Sequence, residues 1–157
     1  PEDSITRKSR EKLPDYRADA VVPDTKLQGW NYIEDSCDIN SLMDYFGGFH
    51  DSVIREIHYE SGDYMEGGTM YLSPSCAKKL RMVFDSSWAN SIEIVFESVR
   101  LLRLVPPGEN YLGDLFNASI FIDNLEVYFY DEYLKERPKS HDGTWVKALG
   151  MRWRVIV

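Results

Sequence analysis

Cysteine is scarce in this chain of 157 residues: it has Cys37 and Cys76, and they do not lie in the spacing of a metal-ligand set. A disulfide scaffold is thereby excluded, and the expectation is a cytoplasmic protein with two reduced thiols, the alternative being one bridge in an exported protein. Long apolar runs are missing as well. No stretch approaches the roughly 18 residues that a membrane-spanning helix takes. The chain starts at Pro1 and not at Met, which leaves room for a removed leader. Positive charge is in short supply: 18 Lys and Arg stand against 26 Asp and Glu, a net charge of −8. Residues 1–26 carry six of each sign, so the whole excess falls on residues 27–157. An acidic body repels phosphate backbones and anionic headgroups, so nucleic acid and membrane surfaces are not expected partners, whereas a basic protein is permitted.

Aromatic residues are plentiful at 13%, with ten tyrosines and four tryptophans. That content excludes a disordered chain and suits pleated, half-buried strands. At 18.3 kDa the chain fits one domain with a core of its own. Residues 1–26, with mixed charges and Pro14 and Pro23, read as a polar, partly disordered arm, and residues 27–157 as a single globular β-rich domain.

The organising stretch is Asp38–Tyr59. Ile39, Leu42, Met43 and Phe46 fall at i, i+3, i+4 and i+7, which predicts a short helix over about residues 38–46 with an apolar stripe. Asp38 is placed to cap its first turn, and Gly47 and Gly48 to close its last. Beyond the glycines Val53, Ile57 and Tyr59 share one parity of a strand and Ile54, Glu56 and His58 the other. Alternation is clearest at Leu80, Met82 and Phe84 and recurs at Ile92, Ile94 and Phe96. Residues 91–97 and 99–105 are two strands joined by a turn at Ser98, or one long bent strand. A hairpin is expected across Asp123-Asn124, a surface excursion over 131–143, and a terminal strand with Trp145 and Trp153 on one face. Links this short favour antiparallel pairing. The expected fold is therefore mainly β, of the α+β kind: a curved antiparallel sheet or two-sheet sandwich of about eight strands, with the helix packed against it.

Chemistry is sparse. His50 and Asp51 could form a base and its orienting carboxylate, with Glu56 as a substitute, but neighbours on an extended strand point apart. A local role, in which Asp51 or Ser52 bonds backbone N–H groups at a helix-to-strand corner while His50 packs or caps, is the stronger expectation. His50, Glu56 and His58 share strand parity, yet His50 lies too far along to complete a metal site without a bulge. Glycine-rich phosphate loops, nucleophile elbows and dinucleotide fingerprints are missing from the sequence, so no cofactor is expected. Tyr128, Tyr130, Trp145 and Trp153 could form an aromatic binding strip, or cross-strand packing.

With its helix, double glycine and Phe49-His50-Asp51-Ser52 followed by Ile54 and Ile57, the chain resembles small bacterial β-rich domains that carry a Phe-His-Asp-Ser segment. Some proteins of this look are immunity proteins encoded beside secreted toxins. The resemblance implies action by binding and no catalytic residue. Three functions are thus expected in order: a non-catalytic binding module, of the immunity type or similar, for a basic partner; a small-molecule hydrolase or isomerase using His50 with Asp51 or Glu56; a purely structural domain.

Overall fold

The computed structural model describes residues 26–108 and 113–156. The expected arm therefore lies outside the described residues save for Lys26, as do residues 109–112.

The helix, α1 (Ser36–Tyr45), starts two residues earlier than the apolar stripe predicts. Asp35, not Asp38, is the N-cap: its side chain accepts the Asp38 N–H at 2.9 Å, while the Asp38 carboxylate accepts from the N–H groups of Glu34 and Asp35. This reciprocal box satisfies donors that the first turn leaves free. Leu42 and Phe46 are fully buried, and Ile39 and Met43 pack beside them. A short 3-10 turn, Gly47–Phe49, follows, with φ at +60° for Gly47 and +66° for Gly48, where a Cβ is disfavoured.

Ten strands occur among the described residues: β1 (Asn31–Tyr32), β2 (Ser52–Glu60), β3 (Tyr64–Glu66), β4 (Thr69–Tyr71), β5 (Lys79–Ser86), β6 (Ile92–Arg103), β7 (Asp114–Leu115), β8 (Ser119–Asp123), β9 (Glu126–Tyr130) and β10 (Trp145–Val155). The main sheet runs β7-β2-β5-β6-β10-β9-β8, all antiparallel, and is curled into a half-barrel. β1 pairs with the far end of β10, and β3 and β4 form a separate small hairpin.

The inner face is apolar and continuous. Leu80, Met82 and Phe84 of β5, Ile92, Ile94 and Phe96 of β6, and Phe129 of β9 are fully buried in one cluster with the helix stripe. Phe49 stands at its centre, 5.1 Å from Phe84 and 5.7 Å from Phe129 between ring centroids, both edge-on. It thus joins strands from the two arms of the curl.

Three local irregularities give the sheet its shape. β6 is one long bent strand, with Ser98 at φ +52° inside it, and not a hairpin. The register slips at Arg55 in β2, so Ile54 and Ile57 face the core together while Val53 is 41% exposed. In β10 the inward parity changes opposite Ser98: Val146 and Ala148 point in, then Met151 and Trp153. The expected pairings of Val53 with Ile57, and of Trp145 with Trp153, on one face are therefore corrected.

Candidate functional site

Phe49-His50-Asp51-Ser52 builds the corner where the helix hands over to β2. Phe49 and Asp51 have φ of +67° and +52°, so the chain bends twice within three residues. The strain is held by bonds on every side. The Ser52 hydroxyl, buried, donates to the Phe49 carbonyl at 2.6 Å, and the Asp51 N–H donates to the Leu115 carbonyl at 3.0 Å. The Asp51 carbonyl accepts the Ser87 N–H at 3.2 Å, and the His50 Nδ1 lies 2.9 Å from the Phe116 carbonyl. The bend does bring His50 and Asp51 together, with Nε2 and a carboxylate oxygen 3.6 Å apart, both about half exposed.

The remaining sequence candidates do not join them. Glu56 pairs with Arg55 at 3.3 Å on the outer side of the Arg55 bulge, and His58 pairs with Glu60 at 3.1 Å farther along β2. Among the described residues no group of three or more His, Cys, Asp or Glu is placed to hold a metal ion. Gly47, Gly48 and Ser52 serve the corner, and Asp38 serves the capping box. Cys37 and Cys76 are exposed, free thiols.

The corner does gather two large exposed side chains. Trp88, in the β5–β6 loop next to Ser87, is 70% exposed, and Phe116, whose carbonyl holds His50, is 72% exposed. Asp51, Asp85 and Asp114 stand in the same neighbourhood, and its cation Arg55 is already paired with Asp85 at 3.1 Å.

Of the aromatic strip, Tyr128, Tyr130 and Trp145 come together on the outer face: Tyr130 stacks on Trp145 at 5.4 Å and lies parallel to Tyr128 at 6.5 Å. Trp153 faces the core, 5.4 Å from Tyr45. The strip is not an open surface, because residues 131–144 fold over it as a strap. Arg137 sits over the Tyr128 ring at 4.5 Å and bonds Asp123 at 2.8 Å, and His141 meets the Tyr130 ring edge-on at 5.3 Å. Burial raises the Tyr130 hydroxyl above its ordinary pKa, which Arg137 partly counteracts.

The strap closes at a polar neck whose residues are not among the sequence candidates. His141 Nε2 donates to Asp131 at 2.7 Å, and both side chains are under 10% exposed. The other Asp131 oxygen accepts the Thr144 N–H at 3.0 Å, the Thr144 carbonyl accepts the Asp131 N–H, and the Thr144 hydroxyl accepts the Val105 N–H at 2.9 Å. Gly143 is required here, since a Cβ would come within 2.5 Å of the Asp131 carboxylate. Next to the neck lies a cavity of about 330 Å³, walled by Ile54, Ile57, Leu104, Val105 and Leu115 and ended by Asp131 and Thr144. The available sequence signal was slight: a histidine and a glycine inside a polar stretch that follows an aromatic strand.

Comparison of this chain with protein-family models, with curated proteins and with solved structures found no match.

Proposed function

We propose that this chain is a non-catalytic binding module that masks a basic protein, in the manner of an immunity-type inhibitor, through the corner around His50 and Asp51. The observation that carries the reading is the pair of aromatic side chains, Trp88 and Phe116, about 70% exposed, the first next to Ser87, whose N–H bonds the Asp51 carbonyl, and the second on the residue whose carbonyl bonds His50. Scattered exposed apolar residues need no explanation, but two large aromatics beside three carboxylates and a single arginine have the composition of a recognition surface. Trp and Tyr dominate the energetics of such surfaces, and the net charge of −8 favours encounter with a cation-rich partner. The hydrolase or isomerase reading built on His50 has less support, since His50 and Asp51 stand at an open corner and Glu56 and His58 are engaged elsewhere.

Capture from a lysate of the cells of origin at low salt tests this, comparing wild type with Trp88→Ala/Phe116→Ala. The expected result is a basic protein retained by wild type, released by raised salt and lost from the double variant, each truncation costing about 2 kcal/mol or more of affinity. Retention unchanged in the double variant would overturn the assignment to the corner. Absence of any salt-sensitive partner would overturn the binding reading itself.

A further inference from the structure

We propose that the cavity beside the strap neck is a binding site for a small alkylammonium group, either a free amine or the end of a lysine side chain. Its volume of about 330 Å³ falls within the range of small-molecule sites, about 300–1,000 Å³. Much of the lining is aliphatic: Ile54 and Ile57, brought to one face by the Arg55 bulge, with Leu104, Val105 and Leu115. Its polar groups are Asp131 and Thr144 at the neck and Arg55 and Glu56 on β2. Asp131 is nearly excluded from solvent, and its two oxygens each accept one N–H, from His141 and from Thr144. A carboxylate offers about four acceptor sites, so room is left for a donor entering from the cavity.

Charge selects among possible guests. Glu56 is the second carboxylate in the lining, and the lining cation, Arg55, is held by Asp85 and Glu56 at 3.1 and 3.3 Å. A carboxylate guest would meet two like charges. A neutral alcohol would gain the walls and an ordinary hydrogen bond. An ammonium on an aliphatic stem gains the walls and charge-assisted bonds to Asp131, about twice as strong as neutral ones. The proposal goes beyond the corner reading and does not depend on it.

The test is titration of the full-length, ¹⁵N-labelled chain with n-butylammonium, n-butanol and butyrate, following the amide signals of Ile54, Ile57, Val105 and Thr144. Butylammonium should shift them saturably and bind about tenfold more tightly than butanol, with no saturable shift from butyrate. Ile57→Trp, which fills the cavity, should abolish the shifts while the rest of the spectrum stays that of the folded protein. Asp131→Asn should erase the preference for amine over alcohol. Butyrate binding as tightly as the amine, shifts that persist in Ile57→Trp, or no saturable shift with butylammonium would each overturn the proposal. Nα-acetyl-lysine methylamide distinguishes the sources: binding assigns the site to a protein lysine and exclusion to a free amine, and both support an ammonium site given the butylammonium result.

Discussion

Glu93 shows how one buried charge is kept in this fold. It sits on the outer side of β6 with only 4% of its side chain exposed, and it accepts from Arg81 at 2.5 Å and from Arg154. Burial pushes its carboxyl up, but the hydrogen bonds and charges of Arg81 and Arg154 outweigh that and hold it below the ordinary glutamate value. Because the folded value is the lower one, the stabilisation is fully present above the unfolded value, about 4.3, and is lost as pH falls through the folded one. Glu93→Gln is expected to lower stability at neutral pH by about 1–3 kcal/mol, the range for hydrogen bonds to charged groups. The gap between variant and wild type should close in acid. Urea unfolding midpoints at neutral pH and at about pH 3 measure this, and an equal gap at both would show that the carboxylate charge is not what the two arginines hold. Close by, the guanidinium groups of Arg152 and Arg154 lie 4.7 and 4.3 Å from the Trp30 ring, so Arg154, which also holds Glu93, joins Arg152 in fastening the start of the globular part to β10.

Among the elements, the β8–β9 hairpin offers the plainest mismatch between residue and conformation. Its register pairs Asp123 with Glu126, which places the two-residue turn at Asn124-Leu125 and not at Asp123-Asn124 as the sequence suggests. Both turn residues have positive φ, +52° and +67°, and Leu125 is 86% exposed. A left-handed residue with a Cβ costs about 1–2 kcal/mol, and here no buried packing offsets it. Leu125→Gly, which creates the Asn-Gly pair that such turns favour, is expected to stabilise the protein by about 0.5–1 kcal/mol, read as a raised thermal midpoint. A lowered midpoint would mean that Leu125 packs in solution. The same element marks where the sequence stops being informative. Its strands were legible because alternation is local: Ile120 and Phe129 follow from period 2, as Leu42 and Phe46 follow from period 3.6. The turn position was not, since the preference of Asp and Asn for left-handed backbone points to Asp123-Asn124, whereas the pairing of Asp123 with Glu126 moves the turn onto Leu125 against that preference. Trp153 was misplaced for a similar reason, because the parity change in β10 answers a bend at Ser98 some fifty residues away. The His141–Asp131 pair depends on the closure of the whole strap, which no periodicity encodes. By contrast a bend between the helix and β2 is legible from its glycines, but its bonds are not: the Asp51 backbone, and not its side chain, bonds Leu115 and Ser87, and the Ser52 hydroxyl donates to the Phe49 carbonyl where an acceptor for an N–H is expected.

For the molecule as a whole, the topology sets unequal local stabilities. β10 is paired along its length with β6, and its other edge is covered by β9 over Trp145–Ala148 and by β1 at Arg152 and Trp153. β6 in turn is enclosed between β10 and β5 and supplies Ile92, Ile94 and Phe96 to the core, all fully buried. Opening either strand breaks two ladders and exposes the aromatic centre around Phe49, so their amides can exchange only when the entire sheet unfolds. β3 and β4 differ in burial: among the described residues they form a two-stranded sheet of their own, contribute no buried residue, and carry Met65 and Met70 at 61% and 42% exposure. Native-state hydrogen exchange is therefore expected to give the amides of Ile94, Phe96 and Met151 the free energy of global unfolding, and those of β3 and β4 values well below it. Adding urea at sub-denaturing concentrations should speed the first group strongly and the second hardly at all, because denaturant sensitivity scales with the surface exposed in the opening event. If the β3–β4 amides tracked global unfolding instead, the hairpin would have to be covered in solution. Its two exposed methionines would then mark a contact surface.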